Sequence, residues 1–296
     1  MYFKVLGALD VSESTKDLTP SAPKLRSTLS LLLLRQGDIV RKDLFVDELW
    51  GVNPPPNALT TLQTYVYQLR RTLPDPQTRR AGHRPRGHAW KEATAGPSHG
   101  PWLRTTSSGY CASIPAETID LCRFETLAAQ GGTALRQGNV PRAAELLEEA
   151  LTLWRGPLVS NVKHGPVLEA HATGLNEERL RVVEQCVDAQ LFLGRYHEVL
   201  TGLRGLLVEH PLAEGLWQRL LLALYRSGRR LEAIQEYRRL HRILGDGLGL
   251  EPSRSVQRLY EAVLASDPAP DLERIALSAW RDRAVVRPGT VSRHVA

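Results

Sequence analysis

The sequence predicts a mainly α fold with a small β component, an N-terminal winged helix-turn-helix followed by an all-α tetratricopeptide-like repeat domain. Three observations lead there. Residues 57–73, NALTTLQTYVYQLRRTL, put Leu59, Leu62, Val66, Leu69 and Leu73 on one helical stripe and leave a polar, acid-free face opposite. Apolar helices precede this stretch and an alternating, strand-forming stretch follows it, the parts of a winged helix. Beyond residue 120, helical hairpins recur around glycines, and Gly194 and Gly228 stand 34 residues apart, the tetratricopeptide period.

Taken in order, Tyr2–Leu6, Leu9–Val11 and Asp17–Thr19 read as short antiparallel strands separated by turn residues. Pro20 to Pro23 punctuates the chain where a helix starts. Lys24–Arg35, with its LSLLLL run, stops before Gly37 and carries enough leucine to be buried on most sides. Arg41–Trp50 places Leu44, Phe45, Leu49 and Trp50 inward and Asp43, Asp47 and Glu48 outward. Pro54, Pro55 and Pro56 stiffen the linker that follows, and Asn57 is placed to cap the third helix. The polar face of that helix carries Asn57, Thr60, Thr61, Thr64, Gln68 and Arg71, with Tyr67 on its flank. Hydroxyls, amides and guanidinium groups are what reach base edges and phosphate oxygens in a major groove. An ordinary amphipathic helix would show the same stripe, but its neighbours favour a recognition helix. Residues 74–102 are rich in Gly, Pro, Arg and His without periodicity and read as a long loop. Trp102–Ile114 alternates around Ser107-Ser108-Gly109 and reads as a closing β-hairpin.

The second half reads as helices at Leu121–Leu135, Pro141–Trp154, Val167–Leu193, His197–Glu209, Leu212–Arg226, Leu231–Leu244 and Ser253–Leu264. Trp217, Leu220, Leu224, Gly228, Ala233 and Tyr237 fall on the repeat spacing, Gly194, Tyr196 and Pro211 match in the preceding unit, and Gly138 with Ala143 suggests a third, atypical copy. The expected domains are therefore 1–114, with 75–102 a basic insert before the wing, 115–267, and a tail over 268–296 that reads as mostly disordered apart from one short helix at Leu272–Trp280.

Charge divides along the same line. Residues 1–112 hold 15 Lys+Arg against 9 Asp+Glu, while 113–296 hold 23 of each. All the excess positive charge sits with the recognition helix, which suits a polyanion-binding head on a protein-contacting body. Cys111, Cys122 and Cys186 are too few and scattered for a disulfide framework or zinc site. Cys111 reads better as a small packed residue than as a redox-sensitive thiol. No apolar run reaches 18 residues and no signal peptide opens the chain, so a cytoplasmic protein without a membrane span is expected. Phosphate-binding, metalloprotease, serine-hydrolase and dinucleotide motifs are absent, and no catalytic residues, cofactor or metal are expected. His164 and His171 read as surface histidines, and Glu148-Glu149 and Glu177-Glu178 as solvated faces.

Over residues 1–265 the chain resembles the Streptomyces antibiotic regulatory protein (SARP) family of transcriptional activators. The resemblance lies in ordered blocks: FKVLGALDV, APKLRSTLSLLLLRQGDIV, LFVDELWG with its PPP, TLQTYVYQLRRTL, DLCRFETL, AAELLEEALTLWRG, LFLGRYHEVL, EHPLAEGLWQRLLLALYRSGRRLEAI and LGDGLGLEPS. It implies an OmpR-type winged helix followed by a tetratricopeptide-like bacterial transcriptional activation domain (BTAD). It further implies a pathway-specific activator of an antibiotic biosynthetic cluster that binds direct repeats in double-stranded DNA near the −35 element. Its expected partners are RNA polymerase holoenzyme, including the sigma factor, and a second copy of itself on DNA. By the resemblance, Thr60, Thr64, Tyr67 and Gln68 read bases, with Arg70 and Arg71 toward phosphate, and Thr61 on the same polar face is expected to read with them. Lys24, Arg26, Arg104, Thr105, Ser107 and Tyr110 are expected at the backbone and wing, and Asn53, Pro54 and Pro55 in the polymerase-contact loop. The 75–102 insert departs from the family pattern. Its Arg79, Arg80, Arg84, Arg86 and Lys91 read equally as added phosphate contacts or as a tolerated loop, and its His83, His88 and His99 lack metal-ligand spacing. Two readings from other classes stand beside the activator: a protein-interaction scaffold with weak, unspecific DNA affinity, and a regulator whose repeat groove takes a small molecule.

Overall fold

The computed structural model describes residues 1–73 and 102–266. The insert up to residue 101, with its arginines and histidines, and the expected helix at Leu272–Trp280 lie outside the described residues. Two compact units form, Met1–Leu127 with Ala150–Arg179 and Ala128–Glu149 with Leu180–Ala296.

In the first unit, β1 (Tyr2–Lys4), β2 (Asp10–Glu13) and β3 (Lys16–Asp17) make an antiparallel meander with Phe3 opposite Val11, both fully buried. The chain leaving β1 needs partners for its backbone, and they come from far along the sequence. Arg155 N donates to Leu6 O at 2.8 Å, Val159 N to Val5 O at 2.9 Å, and Ser160 N to Gly7 O at 3.1 Å. The Asp120 carboxylate accepts from Val5 N at 2.8 Å, Leu6 N at 3.1 Å and the Arg155 guanidinium at 3.2 Å. Burial raises the Asp120 carboxyl above its ordinary value, and the two amides and Arg155 oppose that shift. Residues beyond 114 thus belong structurally to the unit that holds the expected winged helix.

The winged helix itself is α1 (Pro23–Leu34), β4 (Ile39–Arg41), α2 (Lys42–Trp50), α3 (Ala58–Thr72), β5 (Leu103–Thr105) and β6 (Gly109–Ala112). β6 lies between β4 and β5, antiparallel to both, with Ile39 opposite Cys111 and Thr105 opposite Tyr110. β4 was not expected. Its three residues are too few for alternation to register, and pairing with β6 makes them a strand. In α1 every residue from Ser27 to Leu33 is buried, as its leucine run requires. Leu62, Val66 and Leu69 of α3 are buried too, each contributing about 2 kcal/mol of apolar burial.

Three expectations are corrected here. Leu59, read as the top of the buried stripe, is 52% exposed, although Ala58 beside it in the first turn of α3 is 6% exposed. The Asn57 side chain makes no cap; its carbonyl accepts from Thr61 N at 2.9 Å instead. Glu48, read as outward, is 6% exposed. Its carboxylate accepts from Gly165 N at 2.6 Å and from Val167 and Leu168 N at 2.9 Å, which places it on the first turn of α6 (Pro166–Phe192). Gly165 permits that approach, since a Cβ there would stand 2.3 Å from the Glu48 carbonyl oxygen.

The two histidines are likewise internal partners. His164 bonds Leu158 O and the Glu169 carboxylate, both at 3.1 Å. His171 Nε2 accepts from Arg35 Nε at 3.1 Å, which requires the neutral ring. Burial, then the nearby Arg35 charge, hold its pKa below the ordinary histidine value. Between that lowered folded pKa and the unfolded value of about 6.5, the unfolded chain binds more protons. Stability contributed by His171 is therefore complete above pH 6.5 and falls as pH drops below it. Urea unfolding from pH 7.5 to 5 will show this fall. In His171→Gln, which keeps an acceptor but does not titrate, the fall will be shallower; equal slopes would refute the assignment.

Among the described residues the second unit is helical. It takes the later part of α4 (Asp120–Arg136), most of α5 (Val140–Thr152), the end of α6, then α7 (Tyr196–Glu209), α8 (Glu214–Arg226), α9 (Arg230–Leu248) and α10 (Arg254–Ala265). The turns after α4, α6 and α8 are built alike. Gly138, Gly194 and Gly228 adopt φ of +76°, +76° and +77°. Each glycine N donates to the carbonyl three residues back, at 3.0, 3.1 and 3.0 Å. The residue after it reaches the carbonyl five back, at 2.9, 3.0 and 2.8 Å. This is the Schellman closure, and it makes the Gly138 turn a third copy in backbone geometry. Trp217, Leu220, Leu224 and Ala233 are buried at the repeat positions, and Trp217 Nε1 donates to Pro211 O at 2.8 Å. Glu148, expected on a solvated face, keeps 41% side-chain exposure and also accepts from Gln190 at 2.8 Å and Arg195 at 3.3 Å.

Candidate nucleic-acid interface

α3 presents one continuous exposed surface. Thr60, Gln63, Thr64, Tyr67, Gln68 and Arg71 are all exposed and Thr61 is half-buried. No carboxylate stands anywhere in the helix. Tyr67 is 63% exposed, a large ring in water where a core residue would be covered. Thr64 Oγ1 donates to Thr60 O at 3.1 Å, which fixes its rotamer along the helix. Behind this surface Tyr65 stacks on Trp50 with ring centroids 6.4 Å apart and planes 16° apart, so α2 holds α3 from its inner side.

The expected phosphate contacts divide. Arg70, Arg71 and Arg104 are all exposed, and Arg104 also donates to Cys111 Sγ at 4.0 Å. Lys24 is turned inward: its ammonium donates to Leu49 O and lies 4.8 Å from the centre of the Trp50 ring. Burial, then neighbouring Lys163, lower its pKa. Arg26 donates to Pro20 O at 2.7 Å and to Asn161 O at 3.3 Å. Arg70 donates through Nε to Leu103 O at 3.0 Å and through its terminal nitrogen to Thr105 Oγ1 at 2.8 Å. Lys24, Arg26 and Arg70 are thus engaged by the fold.

At the wing, Thr105 and Ser107 are exposed, whereas Tyr110 is 3% exposed with its ring edge-on to Phe45 at 5.9 Å. Tyr110 supports the hairpin from within, because β6 is the central strand and is covered by helices. Cys111 beside it is buried as well, as its reading as a packed residue requires. The tip is closed by Thr106 Oγ1 and Gly109, and Lys42, which sequence reasoning passed over, donates to Ser107 O at 3.2 Å. A lysine at a helix start reads as solvated, and no local pattern marks it as a wing contact. In the α2–α3 loop Asn53, Pro54 and Pro56 are exposed and Pro55 half-buried, next to Val52 at 94% exposure. Among the described residues no group of His, Cys, Asp or Glu could hold a metal, and no helix is long and apolar enough to cross a membrane.

Two family models match the chain: the C-terminal domain of transcriptional regulatory proteins over residues 16–87, and the bacterial transcriptional activator domain over 119–264. Regulatory protein DnrI of Streptomyces peucetius is 36% identical over 275 residues, covering 92% of this chain and 94% of its own length. Transcriptional regulator RedD of Streptomyces coelicolor is 30% identical, covering 94% of this chain and 73% of its own. Among solved structures, Mycobacterium tuberculosis EmbR in complex with a low-affinity phosphopeptide matches with a TM-score of 0.82 at 29% identity, over 96% of this chain and 70% of that one. The chain belongs to the SARP family of transcriptional activators. As in that family, an N-terminal winged helix is followed by a helical BTAD, and the exposed α3 surface lies in the winged-helix part of this activator.

Proposed function

We propose that this activator binds direct repeats near a −35 element as a homodimer and recruits RNA polymerase holoenzyme, including its sigma factor, to an antibiotic biosynthetic cluster. The exposed, acid-free face of α3 carries the reading. Thr60, Thr61, Thr64, Tyr67 and Gln68 contact base edges, Arg71, Arg104, Thr105 and Ser107 contact the backbone, and the loop with Asn53, Pro54 and Pro55 faces polymerase. Related copies set head to tail place their recognition helices one helical turn apart on one face of the duplex. The proposed domain boundaries remain 1–114 and 115–267 at the level of sequence families, and the cytoplasm is the proposed compartment.

Selection of bound duplexes from a random pool at physiological salt tests this. A short motif in direct repeat, spaced near one turn, is the expected recovery. Binding without any motif that vanishes as salt rises would leave only electrostatic attraction and favour a scaffold. On the selected site, Arg71→Ala will lower affinity on all sequences and reduce the salt slope by about 0.9. Gln68→Ala will cost about 1–3 kcal/mol at one base position only, and an equal loss on every sequence would refute its role as a reader.

A further inference from the structure

Arg70 stands at the C-terminal end of the recognition helix, where an arginine is ordinarily given to phosphate. Here its guanidinium is aimed elsewhere, at the Leu103 carbonyl (3.0 Å) and the Thr105 hydroxyl (2.8 Å) of β5. One turn further, Trp102 Nε1 donates to Leu73 O at 3.2 Å, with Trp102 2% exposed and Leu73 fully buried. Ser113 N closes the far side of the same stem on Trp102 O. From the other end, Lys42 at the start of α2 holds the hairpin tip by Ser107 O. The wing is therefore fastened to the helix at the stem and on β5, although 28 residues, 74–101, separate them in sequence. A direct covalent link of a few residues would set that register by itself; across this sequence separation the hydrogen bonds of Arg70, Trp102 and Lys42 set it.

We infer that Arg70 is a positioning residue that fixes the wing hairpin on the recognition helix through Thr105 and Leu103, in place of a phosphate contact. The inference rests on the DNA-binding reading for its consequence but not for its structure. Charge-assisted hydrogen bonds hold a geometry strongly, and Arg70 supplies two to one strand. Loss of the clamp lets the hairpin turn relative to α3, so contacts from the wing are lost while the helix still enters the groove.

The test uses the full chain and two variants, Thr105→Val, which removes an acceptor and no charge, and Arg70→Met, which removes all donors. Hydrogen exchange on the free protein comes first. Amides of Arg104 to Tyr110 are expected to exchange about tenfold faster in both variants, with those of α3 unchanged. Unchanged hairpin exchange in both would overturn the clamp without any reference to DNA. Binding is then measured on a random-sequence 30-base-pair duplex and on the selected repeat. Roughly tenfold weaker binding to the repeat is expected, with the salt slope lowered equally in Thr105→Val and in Arg70→Met, because Arg104 leaves its phosphate with the wing. A slope reduced by about 0.9 in Arg70→Met alone would return Arg70 to phosphate contact and overturn the inference. Faster exchange with unaltered binding would also overturn it. Failure of the wild type to bind either duplex would refute the DNA-binding reading itself, and Arg70 would then position a hairpin with no role at DNA.

Discussion

Asp188→Ala will destabilise the helical unit by about 3–5 kcal/mol, the largest single effect expected outside the apolar core. Asp188 on α6 and Arg219 on α8 are 6% and 7% exposed, and they pair side-on, with Arg219 Nε and its terminal nitrogen donating to the two carboxylate oxygens at 2.8 and 2.6 Å. The other terminal nitrogen donates to Gly215 O at 2.9 Å and lies 3.5 Å from the Glu184 carboxylate, and the Nε–H is shared with Glu184 O at 3.2 Å. Removing one partner leaves a positive charge buried next to a less than complete set of acceptors. Removing both does not, so Asp188→Ala combined with Arg219→Met will recover most of the loss. Urea unfolding followed by circular dichroism reads the difference. A single variant within about 0.5 kcal/mol of wild type would show the pair to be dispensable, and a double variant as unstable as the single would show that packing, not charge, sets the cost.

Glu48→Ala will cost about 3 kcal/mol in the other unit. The three amides that the Glu48 carboxylate accepts are the orphan donors at the start of a 27-residue helix, where an anion also meets the positive end of the helix dipole. Glu48 therefore acts as a cap supplied from another element, 117 positions away at its nearest partner. The same helix, α2, carries Trp50 against Tyr65 of α3, so the loss is expected to loosen the recognition helix too. Exchange of the Gly165, Val167 and Leu168 amides reads the cap directly. Protection equal to wild type at those three amides would sink the prediction whatever the unfolding midpoint does.

What could be read from the sequence follows a pattern. The 3.6-residue stripe of α3 located the helix and separated Leu62, Val66 and Leu69 from Thr60, Thr64 and Gln68, because burial on one side is what produces the stripe. The repeat was legible for a similar reason: Gly194 and Gly228 are required by a positive φ that recurs once per hairpin. Ordered family blocks added the functional class, which no periodicity contains. Of the candidate site, the exposed polar face of α3 was legible; which of its basic neighbours bond within the fold was not. Lys24, Arg26 and Arg70 look alike in sequence to Arg71 and Arg104. Nothing local to them says that Leu49 O, Pro20 O or Leu103 O will take their protons.

By itself, then, the sequence determined the helices, the repeat period, the excess basic charge of the N-terminal part and the polar exposed face of α3, all properties of residues within a few turns of one another. The tertiary structure alone decided that Glu48 and Tyr110 turn inward, that Leu59 stays in water, and that the exposed Arg70 donates to Leu103 O, 33 residues away. A periodic pattern reports which face is covered on average. Which atom lies across a given contact depends on chain segments brought together from a distance, and a buried carboxylate or an exposed leucine is settled by those partners rather than by its own polarity.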